Sequence, residues 1–339
     1  MSESKAVILG CAGKSPSNDE ISFYRDERPW GFILFARNIG EPAEIVDLVA
    51  GLRDSIGRPH APVFIDQEGG RVQRLRPPIV PNYPSGSALG ALYRTDRDAG
   101  LRAAWLMARL HAFDLLRFGI TADCLPVLDV PIEGASDVIG TRAYAKNPDT
   151  VAALGRAAAE GLMSGGVLPV MKHIPGHGRA FSDSHLELPR VDTPLGELRQ
   201  HDFAPFKALA DLPMAMTAHV VYSAIDPAAP ATTSRKVVAD IVRGEIGFDG
   251  LLISDDTSMK ALSGDFSDKA AAILAAGCDI VLHCNGVMEE MRGIVSRTVP
   301  LRGKSLERAE RALTYIEKRD VASEADIRAE FAGYFDAVA

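Results

Sequence analysis

Several large classes of protein are excluded by what this sequence lacks. It has four cysteines, Cys11, Cys124, Cys278 and Cys284, and their spacing is not that of a zinc site. A large intracellular chain has no need of disulfide staples, so they read as small buried hydrophobes. There is no excess of basic residues. The formal net charge is -8, whereas a non-specific grip on nucleic acid wants a basic face. No apolar run approaches the length of a membrane span, and there is no low-complexity tract. Ile8-Leu9-Gly10-Cys11 looks loosely like a lipoprotein cleavage site. The apolar stretch before Cys11 is only Ala6 to Leu9, however, with Glu3 in front, which is too short for a signal region. The expectation is a cytoplasmic monomer that binds neither nucleic acid nor membrane.

What is present is a regular alternation. Short apolar runs at Ala6–Gly10, Gly31–Phe35, Pro62–Ile65, Ile120–Leu128, Val167–Met171, Met214–Ala218, Leu251–Ser254 and Asp279–Leu282 are separated by helical patterns. Continuous apolar runs suit parallel strands covered on both faces. Eight of them, in 339 residues, predict an α/β fold of the (β/α)8 TIM-barrel type as a single domain over 1–339. Helices are expected at Leu101 to Phe118 (capped by Gly119), Val151 to Leu162, Val237 to Ile246, Lys269 to Ala276, and behind Ser305 as an N-cap. Residues 321–339 are expected to form a helical tail on the outside of the barrel. Leu75 to Ser87, rich in proline, is expected to be an ordered loop. The rival architecture is an open doubly wound sheet with Gly10-Cys11-Ala12-Gly13 as its glycine-rich turn, but no helix is visible in Lys14 to Asp19 for that turn to open.

Polar groups recur at the ends of the strands. They are Arg37-Asn38, then Asp66 through Arg74, Asp129 with Arg142 beyond it, Lys172-His173, His219, Asp255-Asp256, and His283 to Asn285. In a parallel barrel these ends meet on one face. The set implies a pocket of carboxylates, cations and imidazoles, suited to a hydroxyl-rich ligand such as a sugar. The densest stretch is Lys172 to Pro189, with three His, two acidic groups and two cations in eighteen residues.

Ile65 to Arg74 (IDQEGGRVQR), Lys172 to Pro189 (KHIPGHGRAFSDSHLELP) and Ser254 to Met259 (SDDTSM) resemble family 3 glycoside hydrolases. Among these the likeness is to the single-domain bacterial β-N-acetylhexosaminidases of peptidoglycan recycling. Three long motifs in order are specific, unlike a lone short pattern. The resemblance implies a retaining exo-β-N-acetylglucosaminidase that needs no cofactor or metal. Its substrate would be a small carbohydrate, a muropeptide or N-acetylglucosaminide. Asp255 would be the nucleophile, and Asp183 with His185 the acid/base dyad on a loop, since imidazole titrates near the operating pH. Asp66, Arg74, Arg142, Lys172 and His173 would bind the sugar.

Successive side chains on an extended strand point opposite ways, so only one of Asp255 and Asp256 is expected to face the sugar. Asp256 is read as a cap or supporting acceptor. Arg71 and Glu68 read equally as internal ion-pair or turn contacts, and His177 as structural to its loop. His219 reads as pocket-lining or as a buried, hydrogen-bonded histidine. Cys11 and Asp123-Cys124 depart from the family pattern, which bears on specificity or rate.

Three alternatives stand beside this reading. A metal-dependent barrel hydrolase could draw ligands from His173, His177, His185, His219 and Asp255. Against it, Pro and Gly between His173 and His177 remove the helical face that would aim both rings at one ion. A family 3 enzyme of β-glucosidase type would act on other sugars. A non-catalytic sugar-binding protein would keep Asp66, Arg74 and Lys172 but would not need Asp255 together with the dyad.

Overall fold

The computed structural model of the chain describes residues 3–181 and 187–335. Asp183 and His185, the expected acid/base pair, lie outside the described residues. Among the described residues an eight-stranded parallel sheet takes the strands in chain order. These are β1 (Lys5–Leu9), β2 (Pro29–Leu34), β3 (Val63–Ile65), β4 (Ala122–Asp123), β5 (Leu168–Ile174), β6 (Met214–Thr217), β7 (Leu251–Ile253) and β8 (Val281–His283). β8 pairs with β1, and the bridge from Ile253 to Ile280 brings β7 and β8 together. The sheet therefore comes round on itself as a TIM-type barrel. A doubly wound sheet would reverse its strand order midway; this one does not, and that rival is overturned.

The strand sequences explain their burial. All six residues of β2 and all seven of β5 are buried, as expected for strands with side chains packed inside and helices packed outside. Inside, Ile8, Trp30, Ile33, Phe64, Met216 and Leu282 belong to one apolar cluster. Outside, a larger cluster joins the other faces of the strands to the helices. β4 is shorter than its apolar run. Pro126 has no N–H to donate, so regular pairing stops at Asp123 and resumes only as a bridge from Val127 to Lys172.

The helical layer runs α1 (Asn18–Glu27), α2 (Pro42–Ser55), α3 (Gly86–Thr95), α4 (Arg97–Leu116), α5 (Pro148–Ser164), α6 (Leu195–Gln200), α7 (Ala204–Ala208), α8 (Phe266–Ala276), α9 (Met288–Val295), α10 (Gly303–Leu313) and α11 (Glu324–Ala332). Val237–Glu245 winds as a π-helix. α1 begins at Asn18, within the stretch from Lys14 to Asp19 where the sequence showed no helix. Its signal is a capping box: the Glu20 amide donates to Ser17 Oγ, and the Ser17 amide donates to the Glu20 carboxylate at 2.8 Å. Ser305 is not an N-cap. α10 starts at Gly303 behind Arg302, and the Ser305 hydroxyl donates instead to Asp279 at 2.7 Å. No helix among the described residues is long and apolar enough to cross a membrane.

Candidate active site

The C-terminal ends of the strands surround a cleft of about 390 Å³. Asp66, Arg74, Arg142, Lys172, His173 and Asp255 all line it. Residues far apart in sequence thus reach one cavity because parallel strands deliver their ends to one face. Its floor is apolar, with Ile33, Met216, Leu282 and Cys284 contributed by β2, β6 and the end of β8. His283 does not reach it. Between the lining residues Leu282 and Cys284, His283 points outward, its ring edge-on to Phe266 and its Nδ1 bonded to Thr257 at 2.8 Å.

One wall is an ion network built from a hairpin. After β3, Gln67–Gly69 pairs antiparallel with Val72–Gln73. Gln67 is its hub: its side-chain oxygen accepts from the amides of Arg74 and Leu75, each at 3.0 Å. Its own amide donates to Asp123 Oδ1 at 2.9 Å. The Lys172 ammonium, 2% exposed, sits between Asp66 (2.8 Å) and Glu68 (2.6 Å). Arg74 binds the other oxygen of Asp66 at 2.9 Å. Arg142 holds Glu68 through two parallel bonds of 2.8 Å.

Two carboxylates therefore face three cations, which governs ionisation. Burial alone would raise the Asp66 carboxyl, but Lys172 and Arg74 hold it well below the usual carboxylate range. Glu68 is likewise held down against burial by Arg142 and Lys172. Burial opposes the charge on Lys172, and Asp66 and Glu68 more than restore it. The wall thus presents fixed charges, with Asp66 as an acceptor for hydroxyls and Arg74 as a donor. Glu68, open in sequence between an ion pair and a turn contact, is an ion-pair partner. Arg71 also borders the cleft, paired with Asp137 and donating to the Val138 carbonyl at 2.8 Å.

A second wall is made by β5 and its loop. Asp129 takes His173 Nδ1 at 2.7 Å and accepts the backbone amides of His173 and His177 at 3.2 and 2.7 Å. Opposing burial, the His173 ring and the other donors hold Asp129 at about 2. An ionised Asp129 makes Nδ1 the protonated nitrogen of His173. His177 lines the cleft as well, and burial pushes its ring down to about 4 despite Asp129. The chain turns tightly here. Gly176 has φ +136°, and a Cβ on Gly178 would stand 2.1 Å from the Val130 carbonyl.

The third wall is the end of β7. Because the strand stops at Ile253, the strict alternation expected for Asp255 and Asp256 does not hold, and both border the cleft. Their environments separate them. Asp256 accepts the amides of Ser258 and Cys284, both at 3.0 Å, and the Ser258 hydroxyl; it ties β7 to β8. The Asp255–Asp256 segment is gripped at both ends. The Asp255 amide donates to Thr217 Oγ1 at 3.3 Å, and the Asp256 carbonyl accepts from His219 Nε2 at 3.0 Å. Thr232 joins the grips, 2.8 Å from both Thr217 Oγ1 and His219 Nδ1. His219 is fully buried, and burial lowers its pKa, so it is a neutral ring supporting this segment from behind. Of its two sequence readings, the buried, hydrogen-bonded one holds.

Sequence reasoning does not single out Asp129, Gln67, Thr217 or Thr232. Asp129 was visible only as a strand end. The other groups act through backbone atoms, and no residue spacing signals that. Among the described residues no group of three or more His, Cys, Asp or Glu side chains is arranged to hold a metal ion.

A parallel barrel whose strand ends converge on a cleft of carboxylates, cations and imidazoles is an architecture that barrel glycoside hydrolases share with other TIM-barrel enzymes. Residues 10–313 match the family described as the glycosyl hydrolase family 3 N terminal domain, and the chain belongs to that family. It is 39% identical over 283 residues to a beta-hexosaminidase of Alkalilimnicola ehrlichii, covering 82% of this chain and 80% of the relative. A beta-hexosaminidase of Methylococcus capsulatus is 40% identical over 282 residues, 82% of either chain. Among solved structures, NagZ from Neisseria gonorrhoeae in complex with N-trifluoroacetyl-D-glucosamine superimposes with a TM-score of 0.87 at 30% identity, over 99% of both chains.

Proposed function

We propose that this glycoside hydrolase removes a terminal β-linked N-acetylglucosamine with retention of configuration, through a covalent glycosyl–Asp255 intermediate. The observation that carries the reading is the placement of Asp255. Asp255 borders the cleft, with Oδ1 accepting the Asp256 amide at 2.8 Å, its backbone is fixed by Thr217 and by the His219 grip on the next residue, and the charged wall of Asp66, Lys172 and Arg74 lines the same cavity. A nucleophile on a fixed support and a sugar held by a preset wall lower the cost of reaching the transition state.

Asp66, Arg74, Arg142, Lys172 and His173 are the proposed sugar-binding set. Within it, Lys172 and Arg142 act largely by holding Asp66 and Glu68. Asp183 and His185 are the proposed acid/base dyad. His185 would protonate the leaving oxygen and then take a proton from water, and Asp183 would stabilise the imidazolium. The relatives named above support N-acetylhexosaminide as the substrate class. We further assign the chain to cytoplasmic recycling of muropeptides, acting as a monomer, with the described part of the 321–339 tail, residues 321–335, packed on the single barrel domain.

Two measurements test this. Proton NMR of the first-formed sugar should show the β anomer; initial release of the α anomer would overturn the retaining mechanism. The variant His185→Ala should lose far more rate on substrates with poor leaving groups than on nitrophenyl glycosides, because only the former need a proton. Equal losses would remove His185 from the role of acid.

A further inference from the structure

We propose that the C-terminal helix α11 is a positioning element for the sugar-binding hairpin, acting through Tyr83. The proposal rests on the reading of that hairpin as part of the sugar site. It begins with the loop between the hairpin and α3. Tyr83 is buried there and is bonded to the hairpin through its backbone at two points. Its carbonyl accepts the Gly70 amide at 2.9 Å, and its amide donates to Gln73 Oε1 at 3.0 Å. The tip of the hairpin lies directly on the following residues: a Cβ on Gly69 would stand 2.3 Å from the Pro84 carbonyl. Wherever Tyr83 sits, the turn between Glu68 and Arg74 must follow.

The side chain of Tyr83 is held from the opposite side, by α4 and α11. Its hydroxyl donates to Asp114 Oδ2 at 2.5 Å, and Arg328 of α11 spans the pair, donating to Asp114 Oδ1 at 2.5 Å and to the Tyr83 hydroxyl at 3.3 Å. The Tyr83 ring meets His111 edge-on, with centroids 4.6 Å apart, and Phe331 of α11 at 6.3 Å. Asp114 and Phe331 are fully buried. The route from α11 to the charged wall is therefore short: Arg328 and Phe331 to Tyr83, Tyr83 to Gly70 and Gln73, and the hairpin to Glu68 and Arg74.

Other contacts fasten the same segment without touching Tyr83. Arg102 of α4 binds Glu330 through bonds of 2.6 and 2.7 Å, and Arg109 binds Asp320 at 2.6 Å. These ion pairs provide the control, since a variant there loosens the docking of α11 while leaving the Tyr83 contacts intact. General loosening and specific positioning can thus be told apart.

The experiment compares Arg328→Gln, Arg328→Lys, Tyr83→Phe and Arg102→Ala in the full chain. Each is measured for Tm, for KM and kcat on a nitrophenyl β-N-acetylglucosaminide, and for amide hydrogen exchange of residues 67–74. Arg328→Gln and Tyr83→Phe should raise KM about tenfold with kcat within about twofold, and should speed exchange of the hairpin. Arg328→Lys should recover part of the KM. Arg102→Ala should lower Tm while leaving KM and hairpin exchange as in the parent. If Arg328→Gln fails to fold, Tyr83→Phe, which removes one oxygen, decides the matter. Unchanged KM and unchanged hairpin exchange in Tyr83→Phe would overturn the proposal, as would equal KM changes in Arg102→Ala and Arg328→Gln. Hairpin exchange needs no substrate. A chain inactive on N-acetylglucosaminides would defeat the assigned function, while exchange would still decide the coupling.

Discussion

Replacing Lys172 by Met removes one buried charge and keeps most of the aliphatic stem. In the parent the ammonium is 2% exposed and bridges Asp66 at 2.8 Å and Glu68 at 2.6 Å, themselves 15% and 4% exposed. Breaking a buried pair by removing one partner costs about 3–5 kcal/mol, because the remaining charge is left in a poorly solvated place. Here Arg74 still faces Asp66 and Arg142 still faces Glu68, so the lower half of that range, about 3 kcal/mol, is expected. At roughly 2 °C per kcal/mol for a chain of this size, Tm should fall by about 6 °C at pH 7. The matched control is Lys304→Ala, whose pair with Glu307 is 73% and 61% exposed; it should cost less than about 0.5 kcal/mol. Calorimetry or circular dichroism at pH 7 measures both. The same variant loses the group that does most to keep Asp66 ionised, so KM for the sugar should rise at least about tenfold, the equivalent of one charged hydrogen bond. A Tm shift no larger than that of Lys304→Ala would refute the view that this wall is held by buried charge.

The remaining predictions follow from the other two walls. Asp129 is held at about 2 in the fold, against an ordinary value of 3.8. A lowered carboxylate pKa gives stability that is complete above the unfolded value and lost as pH falls through the folded one. Between pH 5 and pH 2 the parent should therefore lose about 2 kcal/mol that Asp129→Asn does not lose, and identical acid limbs in denaturant titrations would contradict this. His219→Phe should lower kcat at least tenfold by freeing the Asp256 carbonyl, with a smaller effect on KM; a change confined to KM would count against a support for Asp255. Exhaustive treatment with a chelator should leave activity unchanged, whereas loss that added zinc restores would favour the metal-dependent alternative.

The barrel was legible because its signal is crude and repeated. Runs such as Ala6–Leu9 and Val167–Met171 are apolar throughout, which suits a strand covered on both sides. Burial along β1 and β5 shows that covering. The ends of the strands were legible for the same reason, since polar residues directly after apolar runs have few other places to go. What stayed hidden acts through the backbone or depends on where a strand stops. Asp256 joins Asp255 at the cleft because β7 ends at Ile253, and no pattern in Ser254 to Met259 fixes that end. Gln67 resembles any polar turn residue until its side chain is seen holding the amides of Arg74 and Leu75. Ser305 shows the converse: a residue of the right type for a cap, placed inside the helix and committed to Asp279.

The central claim is that Asp255 forms a covalent bond to the sugar. Incubation with a 5-fluoro N-acetylglucosaminyl fluoride slows both steps but leaves the glycosyl–enzyme to accumulate, and peptide mass mapping then locates the label. The expected result is one sugar per chain, on the peptide containing Asp255, with no label on Asp255→Asn. A label on Asp256 or on any other residue, or turnover with no trapped intermediate, would contradict it.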